Sequence, residues 1–410
     1  MLPEGWKVVL LDQVAKRGSG HTPSKEFPEY WNGGVKWVSL ADSSRLDKGL
    51  ITETDKEISV EGIRNSSAVI HPSGTVVLSR DAGVGKSGVL AEDMAVSQHF
   101  IAWDCSASTE LHNWYLYHWL QQQKPEFERV AVGSTIKTIG LPYFKKLKIT
   151  LPTVAEQQRI AQILSTWDHA IVTKERLLAN CRRQVNALLQ QLLGKPTARG
   201  EWPMVTIGEI SQRVQRRAEN DEDLPILMIS SGRGFVRQDE KYSRFMAGKS
   251  LENYIALNRG EFAYNKGNSK LYEFGCVFPL KKHERGLVPN VYVCFKLSER
   301  LNTDFYEHLF RADYLHDQLG ALVNTGVRNN GLLNIRSTEF LACKVPVPPP
   351  EDQQRIAAIL TTATNWVEQQ EHNLDLLKQE KVILMSQLLT GKRLVKLLEI
   401  ETVAEAELKA

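Results

Sequence analysis

Glu156-Gln157-Gln158-Arg159-Ile160-Ala161-Gln162-Ile163-Leu164 returns near the end of the chain as Asp352-Gln353-Gln354-Arg355-Ile356-Ala357-Ala358-Ile359-Leu360. The offset is 353 − 157 = 196 residues, and it also carries Pro152 onto Pro348, Glu175 onto Glu371, Leu178 onto Leu374 and Gln191-Leu192-Leu193 onto Gln387-Leu388-Leu389. It reaches further out: Trp6-Lys7-Val8-Val9 matches Trp202-Pro203-Met204-Val205, and Phe144 with Lys148 matches Phe340 with Lys344. One short identity arises by chance, whereas a register of this extent marks the duplication of a whole half.

Each repeat closes in a segment of helical period. Ile160, Leu164, Trp167, Ile171, Lys174, Leu178, Cys181, Val185, Leu188 and Leu192 follow alternating steps of four and three, as do Ile356, Leu360, Ala363, Val367, Gln370, Leu374, Leu377, Lys381, Leu384 and Leu388. That is a heptad seam, interrupted by polar residues at Lys174, Gln370 and Lys381. The equivalent Lys174 and Gln370 are open to two readings, a register device or a side chain that carries its head out to water. Thr153 with Glu156 predicts a capping box, and Pro349-Pro350-Glu351 opens the second helix. Gly194 before Pro196, and Gly391, are the expected stops. About 39 residues at ~1.5 Å rise gives roughly 58 Å per helix, which needs a partner along its length. The first helix enters residues 196–346 and the second leaves them, so the expected partner is the other helix, running antiparallel.

At 410 residues the chain exceeds one ordinary core. It is 42% hydrophobic and 24% charged, and no apolar run approaches the ~18–20 residues of a membrane span. The opening residues lack the basic and apolar regions of a secretory signal. The five cysteines, Cys105, Cys181, Cys276, Cys294 and Cys343, are odd in number and scattered. They read as reduced, packed thiols of a cytoplasmic protein rather than zinc ligands, and no metal is expected. A net charge of +3 supports nucleic-acid binding only if positive charge is concentrated locally.

The expected organisation is an α+β fold with a pseudo-two-fold repeat. It comprises a first globular domain over 1–150, a spacer helix over 151–195, a second globular domain over 196–346, a second spacer helix over 347–392 and a tail over 393–410. Runs of strand character at 35–39, 75–79, 100–103, 226–229, 261–264 and 291–295 mix with short helices at 111–122 and 304–319. Several loops set basic and amide side chains beside small residues, a composition that lets backbone approach phosphates and side chains reach base edges. In the first half the candidates are His21, Thr22, Lys25, Lys36, Arg80, Lys86, Ser87, Gln98, His99 and Lys137. In the second they are Arg233, Arg237, Lys241, Arg244, Lys266, Asn268, Lys270, Lys281, Lys282, Arg328, Asn329 and Asn330. Any one of them alone reads equally as a solvated surface charge; clustering in both halves carries the assignment. Gly83-Val84-Gly85-Lys86-Ser87 imitates a phosphate cradle, but Arg80 stands where that pattern needs glycine and no helical period follows Ser87. No Asp/Asn-Pro-Pro-aromatic motif, glycine-rich methyl-donor fingerprint or nuclease constellation is found, so no catalytic site is expected.

The layout resembles the specificity subunit of type I restriction-modification systems. The carriers are Leu2-Pro3-Glu4-Gly5-Trp6 and Gly200-Glu201-Trp202, then Thr22-Pro23-Ser24, Tyr30-Trp31-Asn32-Gly33-Gly34, Trp37-Val38-Ser39, Gly133-Ser134-Thr135-Ile136-Lys137 and the two Gln-Gln-Arg-Ile-Ala helix starts. The second half lacks the Thr-Pro-Ser motif. The resemblance implies two target recognition domains, each reading half of a split double-stranded DNA sequence, held apart by the repeated helices. It implies two methyltransferase subunits docked on those helices, with Gln157, Gln158, Arg159, Gln353, Gln354 and Arg355 as contacts, and translocating restriction subunits beyond them. S-adenosylmethionine, ATP and magnesium would then belong to those partners, which flip and modify the target adenine. The alternative from another class is a coiled-coil scaffold whose end domains bind proteins.

Overall fold

The computed structural model describes residues 2–218, 224–241, 253–323 and 333–395. The chain divides into two compact units, one built from Met1–Arg176 with His372–Ala410, the other from Leu177–Glu371. Arg244, Arg328, Asn329 and Asn330 lie outside the described residues, as does most of the tail.

In the first unit the strand Lys7–Leu10 pairs antiparallel with Lys148–Leu151. A five-stranded sheet runs in the order Lys16–Ser19, Phe100–Asp104, Val76–Ser79, Ser87–Leu90, Leu50–Ile51. A second, four-stranded sheet has the order Lys56–Ile58, Trp31–Val38, Met94–Val96, Ile70–His71. The helix Asn113–Val130 packs on the larger sheet. Beneath it Trp103, Tyr115, Phe127 and Phe144 form one core with Ile160, Leu164, Leu388 and Leu389, so the long-helix segments share the globular core. Each such side chain contributes about 1.5–3 kcal/mol by leaving water.

The second unit repeats this plan. Met204–Thr206 pairs with Lys344–Pro346, and Val8↔Thr150 in the first unit becomes Met204↔Pro346 in the second, the offset of 196 applied to both partners. Its sheet follows the order Ser211–Arg213, Val293–Leu297, Phe262–Asn265, Cys276–Pro279, the counterpart of the first four strands of the larger sheet. Tyr115 Oη donates to Thr150 O at 2.8 Å, and Tyr306 Oη to Pro346 O at 3.0 Å. The helix expected over 304–319 is two helices, Thr303–Arg311 and His316–Leu322. Asp313 between them sits at φ 54, a left-handed conformation that aspartate tolerates and a helix does not.

The long helices are Val154–Leu189 and Pro350–Leu389. Thr153 Oγ1 accepts the Glu156 N–H at 3.3 Å, and Pro350 occupies the first turn, where its missing N–H costs nothing. Gly391 takes φ 71 and ends the second helix. Gly194 does not end the first. It is helical at φ −67, the chain passes through a π turn at Gln190–Gly194 into Lys195–Ala198, and the stop is Gly200 at φ 68.

All twenty predicted seam positions are buried or half-buried. In the first unit Asp168 pairs with Lys381, and Glu175 with Lys378 at 2.7 Å. In the second, Arg182 pairs with Glu371 at 2.6 Å, and Cys181, Val185 and Leu188 line a recess with Ile359, Ala363 and Trp366. Partner numbers fall as the first helix advances, so the segments are antiparallel within each unit. Adding 196 to Glu175 and Arg182 gives Glu371 and Lys378, so one acid–base pair occurs twice. Exposed pairs of this kind contribute roughly 0–1 kcal/mol each, which leaves the apolar seam as the main adhesive. The five cysteines are free and buried, and among the described residues no helix is long and apolar enough to cross a membrane.

Candidate nucleic-acid interface

Antiparallel register places Ser19 beside Ile101 and Ser79 beside Phe100. The loops that follow Ser19 and Ser79, and the turn that precedes Phe100, therefore leave the larger sheet at one end. They carry His21, Thr22, Lys25, Arg80, Lys86, Gln98 and His99. The loop 132–137 joins them, because Ile139 N donates to Arg80 O at 3.0 Å and Arg80 Nε donates to Ile139 O at 3.1 Å. That loop is exposed throughout and presents Lys137.

The motif residues underneath hold these loops. Trp31 Nε1 donates to Ser24 O and Trp37 Nε1 to His21 O, both at 3.1 Å, while the two indoles meet edge to face. Gly20 is required by close approach, since a Cβ there would lie 1.6 Å from Val96 O. In Trp31-Asn32-Gly33-Gly34 the backbone is left-handed at Asn32 (φ 56) and Gly34 (φ 82), bending the chain into its strand.

A polar chain crosses the exposed face. Thr22 Oγ1 donates to Gln98 Oε1 at 2.6 Å, Gln98 Nε2 reaches His99 Nε2 at 3.4 Å, and His99 Nδ1 meets Asp81 Oδ2 at 2.7 Å. Asp81 was not among the residues singled out from sequence. Nothing in a lone Arg-Asp pair signals it, because its partner lies 18 positions away. Lys86, Lys124 and Lys137 surround a neighbouring recess of about 430 Å³. Lys86 Nζ donates to Ser43 Oγ at 2.9 Å and Lys124 pairs with Asp47 at 2.7 Å, so Lys137 is the most available of the three cations. The strand Ser87–Leu90 follows Gly83 and Gly85 directly, as the rejection of a phosphate cradle requires.

Burial corrects three expectations, Ser87, Gln157 and Gln353. Ser87 is fully buried in its strand and accepts from Gln121 Nε2 at 2.7 Å. Lys36 is ion-paired with Glu92 and donates to Thr52 O at 2.7 Å. Gln157 and Gln353 are buried, at 0% and 1% exposure, and their amides are used inside their own units. Gln157 accepts from His112 N and donates to Pro152 O; Gln353 accepts from Asn302 N and donates to Pro348 O. These two dock each helix onto its domain, and Gln158, Gln354 and Arg355 are the exposed members of the motif, with Arg159 half-exposed.

In the second unit Lys266 leaves its strand as Arg80 does, with its carbonyl accepting from Leu333 N at 3.0 Å. Burial holds its ammonium below the usual lysine range, aided by Arg213 nearby. Asn268 and Lys270 are exposed in the loop beyond it. Arg233, Lys281 and Lys282 instead line a recess with Thr361 and Glu368, at the far end of the strand Cys276–Pro279 from Lys266. Arg237 pairs with Asp239 at 2.6 Å, and Lys241 ends the short helix Gln238–Lys241.

Residues 3–180 match the family model described as the type I restriction modification DNA specificity domain. The type I restriction enzyme MjaIX specificity subunit of Methanocaldococcus jannaschii is 26% identical over 178 residues, 43% of this chain and 40% of that protein. The MjaVIII specificity subunit of the same organism is 24% identical over 433 residues, 96% of this chain and 94% of that protein. A crystal structure of the type I restriction-modification S subunit from M. genitalium shares the fold, with a TM-score of 0.59 at 15% identity over 96% of each chain. The duplicated α+β chain thus carries in its first half, where polar loops gather at one end of the larger sheet, a match to a DNA specificity domain. Over 96% of its length the chain is similar to a type I restriction enzyme specificity subunit.

Proposed function

We propose that this chain is the addressing subunit of a type I complex, with 1–150 and 196–346 as target recognition domains. Each reads one half of a bipartite double-stranded target, while the antiparallel helices act as a coiled-coil spacer that fixes the gap. One turn of DNA advances ~34 Å, so a spacer of fixed length selects the separation of the half-sites. The carrying observation is that equivalent strands in the two halves lead into dissimilar polar loops, with Arg80 and Lys86 after Ser79 in one and Lys266, Asn268 and Lys270 after Asn265 in the other, as expected of one scaffold that reads two different sequences. Gln158 and the surrounding recess with Trp114 and Val172 offer a methyltransferase subunit a docking face in the first unit. Methyl transfer, with S-adenosylmethionine, and ATP-driven cleavage, with magnesium, reside in the partner subunits, and this chain contributes address rather than chemistry.

Affinity for phosphates is largely counter-ion release, so DNA binding by the chain assembled with methyltransferase subunits should fall about a thousandfold between about 50 and 200 mM salt while keeping sequence preference. Binding indifferent to both salt and sequence would favour the protein scaffold instead.

A further inference from the structure

Resting on that reading, we infer that Gln98 is the base-reading side chain of the first domain and that it reads an adenine in the major groove. The hydrogen bonds that engage the exposed Gln98 amide point to this base. Asp81 is an acceptor, so His99 Nδ1 carries the proton and donates to it. With the proton on Nδ1, His99 Nε2 faces Gln98 Nε2 at 3.4 Å as its acceptor. Thr22 donates its hydroxyl to Gln98 Oε1. An amide has two donor hydrogens and two acceptor lone pairs. One of each is used within the chain, which leaves one lone pair and one N–H on an exposed side chain.

That remainder matches one base. Adenine presents an N6 amino donor beside the N7 acceptor; guanine presents two acceptors, cytosine only a donor and thymine only an acceptor. Asp81 and His99 touch no base on this account. They are positioning residues that prevent the amide from presenting its opposite polarity.

The turn itself is common to both domains. Phe100 N bonds to Ser97 O, and Tyr292 N to Pro289 O, each at 3.1 Å. Asn290 therefore stands where Gln98 stands and is likewise exposed, but Val291 replaces His99. The amide position is shared, and the polar brace belongs to the first domain.

The test is selection from a randomised DNA library by the full chain assembled with its methyltransferase subunits. The wild type should require an A·T pair in the first half-site. Gln98→Ala should relax that pair alone by about ten- to a hundredfold, and Gln98→Glu, an acceptor only, should move the preference there from adenine toward cytosine. His99→Val should weaken discrimination at the same pair while total DNA affinity is kept, which a merely structural role would not produce. If Gln98→Ala leaves every pair as strict as before, or if Gln98→Glu folds and binds with an unchanged profile, the inference is overturned. A wild-type profile with no bipartite pattern would instead overturn the functional reading on which it stands.

Discussion

Gln157 and Gln353 show what a single residue discloses and conceals. Their identity in the two repeats is plain in the sequence, and a polar side chain on a long helix suggests an outward surface. Only the fold reveals that each amide closes the junction between a helix start and its domain, because the backbone groups they satisfy, His112 N and Asn302 N, are 45 and 51 residues away. Ser87 was misread for the same reason: Gln121 is distant in sequence. Replacing either glutamine with leucine leaves a backbone N–H without its acceptor, at a cost of about 1–3 kcal/mol. Urea unfolding of Gln157→Leu and Gln353→Leu should show comparable losses from both; variants as stable as wild type would return the two residues to the surface.

Elements were legible where a period repeats often. The heptad seams span ten positions each, so burial of every one follows from pattern alone, whereas Gly194 carried a local stop signal that the surrounding helix overrode. Beside the helices, two histidines occupy equivalent places, His118 Nε2 3.2 Å from Ser165 Oγ and His308 Nε2 2.9 Å from Thr361 Oγ1. Burial holds His118 down to about 3 and His308 to about 4. Both stay neutral in the folded chain, while unfolding exposes them to protonation below about 6.5. Unfolding thus takes up protons, and stability falls as pH drops from about 6.5 toward 4, by up to about 1.4 kcal/mol per pH unit for each histidine. Denaturant titrations at pH 7 and pH 5 should show a shallower loss for the double variant His118→Gln/His308→Gln than for wild type; equal slopes would mean these imidazoles are not neutral when folded.

At the scale of the molecule, duplication was the most legible feature, because a register of 196 residues survives extensive change in the loops. The candidate recognition surfaces were the least legible. Composition located the loops after Ser19 and Ser79, yet the bonds joining Thr22, Gln98, His99 and Asp81 depend on which strands are neighbours, and single-residue chemistry does not encode that. The same separation of scaffold from loops predicts modularity: each domain has its own core, so one reader can change without the other. The most direct measurement is to exchange residues 1–150 for the corresponding domain of a type I specificity subunit and map the methylated sites of the assembled complex. One half-site should change while the other half-site and the gap between them persist; a change in both half-sites, or in neither, would contradict the account.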